Sequence, residues 1–233
     1  MRIDTSYDVR TDAGGRDPDS YSATLRRYHK LLWSKQLPGG HLFELAEKVN
    51  GSYLHHHSEI GTFSLSSDSV VPTFTRWKSL KHITDVFPEE ENEAFRTLGY
   101  TIGGMMVFPG NRIDGKTTIN GARGFTRKIA DRFDLTLECI RRHYLNEPSP
   151  LDETLARYSG FFSLFQDFEG YVDFFLLQDL VDADGSVVKF FMPFDDFNTP
   201  SVPRTVEEYV AYRRLSIAFV EARNGRIKRE FGE

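Results

Sequence analysis

The chain has 233 residues, 27% of them charged and 39% hydrophobic, with a formal net charge of -5. That length can bury a real core, the balance is ordinary for a soluble globular chain, and the negative sum argues against a general DNA-coating role. The single cysteine, Cys139, excludes an internal disulfide or a multi-cysteine zinc cage. With no signal-peptide pattern and no apolar run of spanning length, a cytoplasmic protein is expected, outside the membrane.

Twenty Phe against two Trp predict a core built on phenyl rings. Charge is unevenly spread. From Arg112 to Arg132 six Lys/Arg face two Asp, and from Asp167 to Asp196 eight Asp/Glu face one Lys. These stretches either pair with each other or mark a basic concavity for phosphates and an acidic, Phe-rich surface (161–197) for a protein partner.

Residues 1–19 are polar and weakly patterned, which predicts an N-terminal arm ahead of one α+β domain over 20–233. Ser20 or Ser22 can cap a helix in which Tyr21, Leu25, Tyr28 and Leu32 recur, ended by Pro38-Gly39-Gly40. His29 lies beside that stripe and is a weak catalytic candidate. Residues 41–78 read as two to four antiparallel strands broken at Asn50-Gly51, Gly61 and Ser66-Ser67-Asp68-Ser69. On such a strand His55, His57 and Glu59 would share a face, a weak metal-ligand pattern. Pro88 and Glu89-Glu90-Glu91 open a helix that Gly99 ends.

Thr101–Phe108 is apolar on both faces and predicts a buried strand. Gly110 to Thr117 then spells the phosphate-loop pattern G-x-x-x-x-G-K-[ST]. A true phosphate loop opens a helix at its Lys, whereas Thr117-Thr118-Ile119 is β-branched and Asp114-Gly115 favours a type I′ turn. A hairpin of Gly104–Asn111 with Lys116–Asn120 is therefore expected instead.

Phe125, Ile129, Phe133, Leu137, Ile140 and Tyr144 predict one long amphipathic helix over 123–145. Its free face offers i,i+4 pairs such as Arg127–Asp131 and Glu138–Arg142. The Asn120–Gly124 loop before it is the candidate anion site: backbone amides near Gly121 and Gly124, with Asn120, Lys116, Arg123 and Arg127. His143 is a second weak catalytic candidate, for metal-independent phosphodiester chemistry. Further on, helices are expected over 152–180 and 205–227, the last capped by Thr205 and striped by Val206, Tyr209, Val210, Ile217 and Val220. A strand is expected over Val187–Phe194. Asp182-Ala183-Asp184-Gly185 begins like a calcium loop without its later ligands and reads as a turn.

Four phrases together resemble an uncharacterised family of bacterial proteins classified only as a domain of unknown function. They are Leu32-Trp33-Ser34-Lys35, Thr118 to Gly124 (TINGARG), Asp134 to Arg142 (DLTLECIRR) and Tyr171 to Val181 (YVDFFLLQDLV). The likeness covers most of the chain after about Asp17 and implies no activity, cofactor or site residue. From the residues alone three functions stand: recognition of a phosphate-bearing ligand (nucleotide or RNA) at the Arg123 loop, a non-enzymatic interaction module, or a metal enzyme on His55 and His57. The fold class expected is α+β, a mostly antiparallel sheet (41–78, 100–120, 186–194) covered by helices.

Overall fold

The computed structural model describes residues 2–47 and 54–232, so the expected Asn50-Gly51 break lies outside the described residues. It is an α+β fold with helices dominating. After α1 (Pro18–Tyr21), α2 (Ala23–Trp33) starts at Ser22, whose Oγ accepts the Leu25 N–H at 3.0 Å. Its periodic face buries Leu25, Tyr28, His29, Leu32 and Trp33. Short strands β1 (Lys35–Gln36) and β2 (Leu42–Phe43) pair antiparallel around the Pro38–Gly40 turn, where Gly40 takes φ 83°. The N-terminal arm is part of the body: Ile3, Val9 and Ala13 are buried, and the Ile3 and Val9 amides donate to Phe231 and Tyr100 carbonyls.

The main sheet is antiparallel throughout, in the order β3 (Ala46–Glu47), β4 (Leu54–Ser58), β5 (Gly61–Ser69), β6 (Met105–Pro109). Strand β5 runs straight through Ser66–Ser69, where the sequence predicts a break. Its polar side chains are tolerated because each is met by a partner. Ser67 Oγ meets His29 and the Ser67 N–H donates to Asp19 (2.7 Å); Ser66 meets Asn120 and Asp68 meets Arg123. Between β5 and β6 lie α3 (Lys81–Thr84) and α4 (Glu89–Gly99), the latter with three glutamates in its first turn as expected.

After β6 the expected hairpin does not form. Asp114 and Gly115 do take left-handed conformations (φ 52° and 68°) and the Lys116 N–H closes on Ile113 O at 3.0 Å, so the turn is real. Its far arm never pairs with β6; Thr118 instead caps a short helix, α5 (Ile119–Phe125). That helix opens three residues after Lys116 and follows an antiparallel strand, so a phosphate-loop geometry is not built either.

The single helix expected over 123–145 is two, α5 and α6 (Phe133–Leu145). They are separated by a turn in which Ala130 and Asp131 both have positive φ, 51° and 63°. Phe125 stands 86% exposed instead of joining the stripe. The expected Glu138–Arg142 pair is present at 2.7 Å, while Asp131 is drawn to Arg123 rather than Arg127.

The region expected to be one helix over 152–180 is α7 (Asp152–Arg157), α8 (Ser159–Phe162) and α9 (Phe168–Phe174), with 3-10 turns between and after them. Asp182–Gly185 is a turn as expected. It closes a narrow loop through the Asp182 N–H to Val187 O, with one bridge, Val181–Val188, in place of a strand over 187–194. The long α10 (Val206–Phe231) buries Tyr209, Tyr212, Phe219, Val220 and Ile227, but also the polar Ser216, Arg223 and Asn224. Val210, expected in the stripe, is exposed because it lies about 100° around the helix from the buried Tyr209. Most phenyl rings of 161–197 are core: Phe161, Phe162, Phe165, Phe174 and Phe175 are all at most 4% exposed. The interaction surface expected there therefore lacks most of its aromatic residues, Phe190 and Phe194 being half-buried.

Candidate functional site

Residues 70–77, which follow β5, are hung from α10. The Tyr209 and Tyr212 hydroxyls donate to the Thr73 and Pro72 carbonyls, each at 2.7 Å. Within this segment Phe74 is held at φ 59°, a conformation costing a bulky residue on the order of 1–2 kcal/mol. Its ring is buried against Tyr212 (5.2 Å) and packs edge-on against Trp77 (5.5 Å). Strain in non-glycine residues collects at functional sites, and here two such residues, Phe74 and Asp131, line one cleft of about 190 Å³. Asp68, Arg76, Trp77, Arg96 and Tyr100 line it as well, with Ser69 and Thr73.

The floor of this cleft is an acid–arginine–acid arrangement. Ser66 and Asp68 share one face of β5, and Asn120 and Arg123, one turn apart on α5, meet that face. Asn120 Nδ2 donates to Ser66 Oγ (3.1 Å) and Arg123 Nη1 to Asp68 Oδ2 (3.2 Å). Arg123 has no exposed surface. Its Nε donates to Thr136 Oγ1 (3.1 Å), its Nη2 to the Asp131 carbonyl (2.7 Å), and Nη2 lies 3.4 Å from Asp131 Oδ1. Two carboxylates thus converge on one guanidinium while keeping 37% (Asp68) and 34% (Asp131) of their own side chains open. Burial pushes both carboxyls above the usual range, Arg123 pulls both back, and Asp131 adds to the rise at Asp68. The Asp68 carboxyl, raised to about 6 at the cleft, is suited to hold and release a proton near neutral pH.

Beside the floor, Asp19 of α1 is buried and accepts the Ser67 N–H. Burial, with Asp17 and Asp68 nearby, pushes its carboxyl up to about 7. A raised folded pKa adds stability that is complete below the unfolded value near 3.8 and is lost as pH rises through about 7. Asp19→Asn keeps an acceptor oxygen and removes the charge. It is expected to raise stability at pH 8 by roughly 2–4 kcal/mol and to change little at pH 4. Urea midpoints at the two pH values read this directly; equal effects at both would show that Asp19 is ionised without penalty.

The residues expected at an anion site are not gathered. Arg123 is sealed inside, with every nitrogen engaged, and Asn120 is turned to Ser66. The Gly121 N–H is taken by Thr118 Oγ1, and Lys116, Gly124 and Arg127 are exposed and line no part of the cleft. His29 is fully buried. Trp33 Nε1–H donates to its Nδ1 (3.0 Å), so Nε2 carries the proton and donates it to Ser67 Oγ (2.8 Å). Burial and the Arg223 charge push its pKa down to about 3, so it is a neutral structural donor and cannot serve as the base for that serine. His143 is half-buried on α6, 5.3 Å from the Phe162 ring and away from the cleft, its pKa lowered by burial.

His55 and His57 do share a face of β4, but the strand ends at Ser58. Glu59 falls in the turn, where it faces His41 at 3.6 Å, and His57 Nδ1 meets Thr62 Oγ1 at 2.6 Å. Among the described residues no group of three or more His, Cys, Asp or Glu could hold a metal ion, and no helix is long and apolar enough to cross a membrane. The acidic residue of the cleft missed in the sequence, Asp68, sits in a serine run with turn-like composition. The one available signal was that Phe63/Leu65 alternation could continue through it.

Fold and cleft together define an α+β protein in which an inner strand, β5, and the α5 segment beside it hold an arginine-bridged carboxylate pair. The chain belongs to DUF6994, a family of unknown function, whose model matches residues 3–227 and so takes in the N-terminal arm. No curated protein and no solved structure matches it.

Proposed function

We propose that the protein binds a small molecule in the cleft over Asp68 and carries out acid–base chemistry on it with Asp68 and Asp131. The observation that carries this reading is the convergence of two partly open carboxylates on one fully buried guanidinium, within 3.4 Å of it. Arg123 fixes the pair without occupying the cleft, and Tyr100 borders it. One carboxyl then holds a proton while the other, nearer ionisation, accepts one, which is the division of labour that general acid–base catalysis needs. A thermal-shift panel of metabolites tests this with wild type and Asp68→Asn. A ligand at a hundred times its Kd adds about 2.7 kcal/mol, a midpoint shift of roughly 5–10 °C for a chain this size. Shifts that vanish in Asp68→Asn support the cleft; ligands that shift both proteins equally overturn it.

A second reading keeps the phosphate-bearing ligand, a nucleotide or RNA, but moves it to the surface at the end of α5. What favours it is Phe125, 86% exposed beside the exposed Arg127 and Lys128, an aromatic platform with cations of the kind single strands stack on. In the same panel, salt-sensitive binding of a short RNA that is lost in Phe125→Ala and kept in Asp68→Asn would select this reading over the first.

A further inference from the structure

The chemistry of the cleft narrows its ligand, on the reading that the cleft is the site. Its floor offers acceptors only. Each nitrogen of Arg123 is already bonded inside the protein, so what faces the cleft is the oxygen of Asp68 and Asp131. Two carboxylates against one guanidinium leave the floor net negative when both ionise, and Asp17 adds to the field at Asp68.

The other pole lies at Arg76. It is exposed and has no hydrogen bond or ion pair among the described residues, whereas Arg96, on the same wall, is held by Glu93 and Glu89. Tyr100 lines the same cleft as both poles. Along the wall run Phe74 and Trp77, the indole 37% exposed.

We propose that this cleft takes a small zwitterion of the α-amino-acid class. Its ammonium sits on Asp68 and Asp131, its carboxylate on Arg76, and its side chain along Trp77. The cleft volume of about 190 Å³ suits a molecule of that size and falls below the range of drug-sized ligand pockets. A phosphate monoester is disfavoured. One free cation faces a net-negative floor, and the phosphate's second negative charge would be repelled by it at contact distance.

The test is calorimetric titration at pH 8, where the carboxylates are most ionised. The probes are the twenty L-amino acids, then the N-acetyl and the amide forms of the best binder, then a neutral polyol and a sugar phosphate. Wild type, Arg76→Gln and Asp68→Asn are compared, with unchanged thermal midpoints showing that the variants fold. A free amino acid is expected to bind, and capping its ammonium or its carboxylate to weaken binding by about tenfold or more. Arg76→Gln should weaken the free amino acid by a similar factor and leave the amide form unchanged. An N-acetyl form that binds as well as the free one overturns the proposal. If no amino acid binds but the polyol or sugar phosphate does, and Asp68→Asn abolishes it, the zwitterion is wrong and the cleft stands. If nothing in the set depends on Asp68, both fall.

Discussion

Arg123→Met is expected to destabilise the fold by about 3 kcal/mol or more, the scale on which breaking a buried pair from one side falls. An exposed ion pair would cost about 0.2–1 kcal/mol, so the size of the effect tells the two situations apart. The guanidinium is wholly enclosed, bonded to Thr136 Oγ1, Asp68 and the Asp131 carbonyl, with its charge 5.6 Å from the Phe108 ring. Methionine fills much of the volume but leaves two carboxylates facing each other without a cation. It also releases the carbonyl that helps hold Asp131 at φ 63°. Urea unfolding of Arg123→Met, Asp68→Asn and the double variant separates these parts. Part of the loss should return in the double variant, since one stranded charge is gone. A single-variant loss under 1 kcal/mol would mean that Arg123 is not the keystone of the site.

Arg223→Met is expected to be worse still, on the order of 4 kcal/mol or more, a large share of a typical stability. Arg223 is fully buried on α10 and, among the described residues, has no carboxylate partner. It donates instead to three carbonyls, those of Gly103 (3.0 Å), Met105 (2.9 Å) and Phe175 (3.1 Å). Burial lowers its pKa to about 10, which still leaves it charged at neutral pH. Removing it orphans three buried acceptors, at about 1–3 kcal/mol each if they find no other donor. The neighbouring Asn224 accepts the Gly103 N–H at 2.8 Å, so the approach to β6 depends on two polar residues of one helix. Hydrogen exchange at residues 103–107 should rise to the global rate in Arg223→Met. Protection unchanged there would show that the carbonyls are satisfied without it.

Both residues explain why the candidate site was only partly legible in the sequence. Hydropathy periodicity reports where carbon is buried; a buried guanidinium has the same letter as a solvated one. The anion site inferred at Asn120–Gly124 placed Arg123 facing outward, whereas its side chain is buried. The reason is that its partner Asp68 lies 55 residues away on β5, beyond any local pattern. The serine run around Asp68 read as a break for the same reason: its neighbours on α1, α2 and α5 make a polar strand affordable.

What the sequence determined by itself is mostly local. Ser22 and Thr205 stop one chain direction and start a helix because their hydroxyls meet a free N–H three residues on. Glu89-Glu90-Glu91 sit at the positive end of α4 for electrostatic reasons that need no tertiary contact. The Asp114-Gly115 turn forms because those two residues tolerate positive φ. The α+β class followed from such signals. Only the tertiary structure decided what lay on either side of them: that the Asp114-Gly115 turn leads to a helix and not a hairpin, that the stripe from Phe125 to Tyr144 divides at Ala130-Asp131, and that Asp68, Arg123 and Asp131 meet. Those outcomes depend on desolvated charges and hydrogen bonds finding partners across the fold, and the free energy of such pairing is a property of the assembled geometry.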